Sequence, residues 1–152
     1  MISRNPRSTF QIAGHPLHPM LIPFPVAFLV ATFVCDMIFW RTGGPGWSTA
    51  SFYLLAAALI TAGLAAVAGL TDFLGDHRIR SLSAAWHHMI GNVIAVLLSA
   101  WNWYRRYEAG DAAVLPTGLF VSLIVVLILL YTGWRGWEMV YKHRVAVSDP
   151  TT

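Results

Sequence analysis

The chain has 152 residues, 57% of them hydrophobic and only 11% charged, with a formal net charge of +3 and a positive mean hydropathy. A soluble domain of this length cannot cover that much apolar surface, so composition alone reads as an integral membrane protein. The single cysteine, Cys35, excludes an internal disulfide and a thiolate metal cluster. The basic residues flank apolar runs, as topology determinants do, which argues against nucleic-acid binding.

The first apolar run is introduced by GHPLHPM, residues 14–20, and continues as LIPFPVAFLVATFVCDMIFW. Arg4 and Arg7 precede it in the manner of a secretory leader, but the run is too long and no small-residue cleavage site follows. It reads as a span over residues 20–40. Pro16 and Pro19 suit a helix that begins directly after His15, with His18 in its first turn, because first-turn amides have no helical partner to lose. Pro23 and Pro25 each remove a bond deeper in the helix, freeing the carbonyls of Pro19 and Leu21. The mouth of this span is therefore expected to be kinked or broken.

Three more stretches reach the roughly 20 residues needed to cross a hydrocarbon core, over 51–73, 84–104 and 116–137. The connections 41–50, 74–83 and 105–115 are short and carry Gly, Asp or Arg, which forces neighbouring spans to run antiparallel. The expected architecture is all-α: one four-helix membrane bundle over residues 1–152, up-down and antiparallel, with about a dozen loosely ordered residues at each end.

Four spans place both termini and the connection 74–83 on one side. That side carries Arg4, Arg7, Arg78, Arg80, Arg135, Lys142 and Arg144, against Arg41, Arg105 and Arg106 on the other. The excess predicts a multi-pass membrane protein with both termini in the cytoplasm.

Threading also sorts the histidines. His15, His18, His77, His87, His88 and His143 all fall on the terminal side, in a layer with Asp72, Asp76 and Arg135. In the second span Ala58, Ala62, Ala65, Gly69, Asp72 and Asp76 recur at helical spacing, as do Ala84, His88, Ala95, Ser99 and Asn102 in the third, with Asn92 at the edge. Small-residue seams are where membrane helices approach closely, so Asp72 and His88 are expected to point into the bundle. His87 lies about 100° round the helix from His88, so one of the two faces inward and the other the interface. His77 and His143 read as interfacial anchors, and Asp76 as either a loop cap paired with Arg78 or Arg80, or part of a site. On the opposite side Asp36, level with Asn102, Arg105 and Arg106, reads as half of a structural ion pair.

Ionisable groups at membrane depth are costly unless paired, solvated or liganded. A layer of imidazoles therefore suggests a site, and facing histidines are ligands for haem iron or a bare transition metal. His18 and His88 are the preferred ligand pair, with His15 and His87 as alternates. Asp72 and Asn92 belong to the same pocket, and Arg135, Arg78 or Arg80 would answer haem propionates.

GHPLHPMLIPFPVAFLVATFVCDMIFW, the segment GLTDF (residues 69–73), His88 with Asn92, and the closing GWRGWEMVYKHRVAV together resemble the bacterial and archaeal membrane family catalogued as domain of unknown function 2231. The resemblance runs from Gly14 to Val147, and its most specific element is GHPLHP before the first span. The G-x-x-G-x-x-x-V-Y-x-H ending, from Gly133 to His143, supports it, while Trp137 and Arg144 depart from its glycines. It implies a small four-span module, with relatives joined to redox domains such as Rieske iron–sulfur domains.

The leading expectation is thus a haem b or transition-metal module for electron transfer or redox sensing, working with a redox protein partner in the lipid bilayer. A proton or cation transporter, with Asp72, Asp76 and the histidines in the path and a homo-oligomer completing the pore, is one alternative. An accessory subunit whose histidines make only hydrogen bonds is the other. No paired nucleophile and base, phosphate loop or cofactor fingerprint points to an enzyme.

Overall fold

A computed structural model describes residues 5–147. Arg4, counted above on the terminal side, lies outside them. The described chain is predominantly helical, its one sheet a short hairpin, so the all-α reading holds.

The hairpin pairs β1 (Gln11–Ile12) with β2 (His15–Pro16), antiparallel, Ile12 opposite His15. Ala13 (φ 50°) and Gly14 (φ 82°) both occupy left-handed backbone, the conformation a two-residue hairpin turn demands. The glycine of GHPLHPM is thus a turn residue. Pro16, extended, caps the short α1 (Leu17–Leu21), with His18 in its first turn. Only Ile22 separates α1 from α2 (Pro23–Thr42). Because Pro23 and Pro25 have no amide hydrogen, the ladder lapses between the Ile22 bond to the His18 carbonyl (3.2 Å) and the Val26 bond to the Ile22 carbonyl (3.3 Å). The expected break at the mouth of the first span falls there.

α2 ends on Gly43 (φ 66°), whose amide closes on the Phe39 carbonyl. α3 (Pro45–Gly75) is 31 residues long and begins well before the predicted residue 51. Pro45 at its first turn is preorganised for helix, so the GGPG stretch starts a helix as well as ending one. α4 (His77–Arg80) follows a cap by Asp76, which accepts from the Arg78 amide at 2.9 Å. α5 (Ser83–Ala109) and α6 (Leu119–Tyr141) are joined by a 3-10 turn (Gly110–Ala113) and an irregular wide turn (Val114–Gly118). Pro116, predicted to open the last span, lies in that turn, and α6 starts three residues later.

Three stretches are long and apolar enough to cross a membrane: Leu17–Thr42, Pro45–Gly75 and Ser83–Tyr141, the last containing both α5 and α6. α2 packs most extensively on α3, and α5 on α6; α2 against α6 and α3 against α5 bring the two pairs together. Leu29, Leu55, Ala58, Ala95, Val121 and Val125 form the common core. Ile60, Leu64, Val67, Leu97, Leu127 and Leu130 are more than half exposed. An apolar exterior of this extent is stable against lipid and not against water.

Among the described residues, the segment from Asn5 to Phe10 is tied to the bundle. Ser8 donates to Asp72 Oδ1 (2.8 Å) and Oδ2 (3.0 Å), and the amides of Thr9 and Phe10 donate to Oδ1 at 2.7 and 2.8 Å. Gly75 lets this strap approach, since a Cβ there would lie 2.4 Å from Thr9 Oγ1. Asn5 Nδ2 donates to the Val147 carbonyl (3.0 Å), and the Ala146 amide to that of Pro6 (2.9 Å), tying the two ends of the described chain together.

Candidate functional site

Two polar layers lie on either side of the apolar core. In the layer nearer the termini, His18 of α1 and His88 of α5 face each other with ring centroids 6.1 Å apart and planes at 86°. His18 Nδ1 lies 2.8 Å from the carbonyl of Ala65 on α3, and His88 Nδ1 2.8 Å from that of Thr132 on α6. A carbonyl only accepts, so each Nδ1 carries the hydrogen and donates it. In the neutral form such a ring keeps its lone pair on Nε2.

Glycines admit both rings. A Cβ on Gly69 would lie 2.6 Å from His18 Cε1 and 2.8 Å from its Nδ1; one on Gly136 would lie 3.2 Å from both Cε1 and Nδ1 of His88. Neither glycine was expected at the site. The sequence signal, a glycine four residues after the carbonyl that holds each histidine, is visible only once the pairs are known. Asn92 belongs to the same arrangement: it donates to the His88 carbonyl (2.8 Å) and accepts from the Thr132 hydroxyl (3.1 Å), fixing the turn that holds His88.

Other expected members are placed elsewhere. His15 is exposed on β2, its backbone spent in the hairpin. Asp72 does not face His88. Its carboxylate is filled by Ser8, Thr9 and Phe10, because backbone amides of a segment read as loose compete for it successfully. His87 points to the exposed side of α5, where Arg135 Nη2 donates to its Nδ1 at 3.1 Å. Arg135 also pairs with Glu138 (2.8 Å). Of His87 and His88 it is therefore His88, held on the Thr132 carbonyl beside His18, that faces the bundle. Asp76 is a cap and a partner of Arg78, whose guanidinium bonds it at 2.7 Å. Those bonds, then the amides of Arg78 and Arg7, hold its carboxyl well below the usual carboxylate range. Arg80 donates to the Leu74 carbonyl. Among the described residues no three of His, Cys, Asp and Glu converge as a metal-binding group, so the side-chain donor set is the two imidazoles.

The second layer is a closed clamp. Arg106 grips Asp36 through both guanidinium arms, at 2.8 and 2.7 Å, with both residues buried. Ser122 donates to Asp36 (2.7 Å), Arg106 also donates to Ser51, and its Nε donates to Asn102 (3.1 Å). The structural ion pair expected for Asp36 is there, with Arg106 as the partner among the candidates. α2, α3, α5 and α6 each contribute to it.

Neither a curated protein nor a solved structure matches the chain. The family described as predicted membrane protein (DUF2231) matches residues 14–149, nearly the whole length. The motif residues Gly14, His18, His88 and Gly136, whose places in the turn and around the paired imidazoles are given above, all fall within that match, and the chain belongs to this family of membrane proteins.

Proposed function

We propose that the chain is a membrane module that holds haem b, or a bare transition metal, between His18 and His88 for electron transfer or redox sensing. The observation that carries this reading is the commitment of both Nδ1 atoms to backbone carbonyls on two neighbouring rings, which leaves Nε2 of each as the nitrogen available to a ligand. Metal-ligating histidines are oriented by such a bond from the other nitrogen. Haem iron takes four ligands from its macrocycle and two from the protein, which suits a two-imidazole donor set, and it would supply one-electron chemistry.

In this reading α2, α3, α5 and α6 each cross the bilayer, in up-down antiparallel order. The pairing of His18 with Ala65 and of Asp36 with the Arg106 that also meets Ser51 supports that order, as does His88 with Thr132 and Arg106 with Ser122. The terminal face, richer in Arg and Lys, would lie in the cytoplasm of a bacterial inner membrane, where a redox protein would meet it. A transport path draws less support, because Leu29, Leu55, Ala58 and Val125 lie between the two polar layers.

The protein purified in mild detergent is expected to show a haem Soret band or bound metal, lost in both His18→Ala and His88→Ala. A colourless, metal-free preparation that takes up no added haemin overturns the reading. If the variants lose only stability, the histidines serve structure in an accessory subunit.

A further inference from the structure

We infer that the chain consists of two copies of one helical hairpin, α1 and α2 with α3 and then α5 with α6, and that each copy supplies one equivalent imidazole to a single shared metal centre. The second clause rests on the function proposed above; the first stands on the fold.

The two halves repeat the same construction. His18 lies over Gly69 with its Nδ1 on the carbonyl of Ala65, four residues before the glycine. His88 lies over Gly136 with its Nδ1 on the carbonyl of Thr132, again four residues before. Asp36 follows His18 by eighteen residues, and Arg106 follows His88 by the same number. These two residues then form the clamp across the bundle.

Burial follows the same register. A shift of 70 residues superimposes four of the six buried positions of α2, Pro25, Leu29, Thr32 and Asp36, on the buried Ala95, Ser99, Asn102 and Arg106 of α5, while Cys35 and Phe39 fall on exposed residues. A shift of 67 places four of the eight buried positions of α3, Ser51, Leu55, Ala58 and Ala65, on the buried Gly118, Ser122, Val125 and Thr132. The residue types have diverged almost everywhere except at the histidines and their glycines. Parallel repeats related by an axis along the membrane normal are an established membrane architecture. Such an axis would pass between His18 and His88 at one end and between Asp36 and Arg106 at the other. A ligand bridging the imidazoles lies on it and meets two equal donors.

Two measurements on the full chain test this. Haemin, and separately copper(I), is titrated into the wild type, His18→Ala and His88→Ala, with and without added imidazole. The expected result is one equivalent per chain, with both variants weakened by a similar factor of about 10 or more and both restored by imidazole. Two equivalents per chain, or one variant binding as the wild type does, overturns the shared centre. Independently of any ligand, D36R and R106D are each expected to lower the thermal midpoint, and the exchange D36R/R106D to regain at least half of the loss, because both places are equivalent across the axis. An exchange no more stable than the worse single variant overturns the duplication. A wild type that binds neither probe counts against the proposed function, and the duplication is then decided by the exchange.

Discussion

Gly69 and Gly136 show how narrowly single atoms set this fold. A methyl group at Gly69 would lie 2.6 Å from the His18 ring. Gly69→Ala is therefore expected to cost about 1–3 kcal/mol, as overpacking does, and to weaken haemin uptake with it. At Gly136 the closest approach is 3.2 Å, so Gly136→Ala should do less on both counts, as thermal melts and haemin titration of the pair would show. Asp76 gives a pH dependence of known sign. Its folded carboxyl is held below the ordinary value of 3.8, chiefly by Arg78. Its stabilisation is thus complete above that value and is lost as pH falls through the lower folded one. Asp76→Asn should lower the thermal midpoint at neutral pH and flatten its decline below about pH 4, measured in a non-ionic detergent. Histidines 18 and 88 were legible from the sequence because threading put them at one depth. The partners of Asp72, the Ser8 hydroxyl and the amides of Thr9 and Phe10, were not legible, because no residue pattern announces a bond from a backbone amide.

At the level of the elements, spans were easier to read than their ends. Apolar length located all four long helices, whereas Pro45 and Pro116 were assigned the wrong way round: the first opens a helix and the second lies in a turn. A proline permits both, and only the neighbouring packing decides. The small-residue seam was legible too, since Ala58, Ala62 and Ala65 are all buried. The clamp was legible only as a pair. Ser51, Ser122 and Asn102 complete it from three helices, and short polar side chains in apolar runs do not disclose which neighbour they meet. Arg106→Leu would leave the buried Asp36 without its partner, a loss of about 3–5 kcal/mol that should leave little folded protein on size-exclusion chromatography. Asp36→Leu with Arg106→Leu removes both charges and is expected to recover most of that loss.

For the molecule as a whole, side-of-membrane is the decisive property. The excess of Arg and Lys on the terminal face predicts that an alkaline phosphatase fused after Val147 is inactive and one inserted in the 3-10 turn (Gly110–Ala113) is active. The opposite pattern would invert the topology while leaving the fold as it stands. The duplicated plan was not legible in the sequence because little identity survives between the halves. What survives is a register of burial, and burial exists only after folding.

The knot that joins Asn5 to Val147 and Pro6 to Ala146 has an architectural consequence. Both ends of the described chain leave from one point, on the face that carries the paired imidazoles. A soluble domain appended in front of this chain or behind it would be moored over the same spot. Domain order along a gene would then be free to vary while the distance from that domain to the imidazole pair stays nearly fixed.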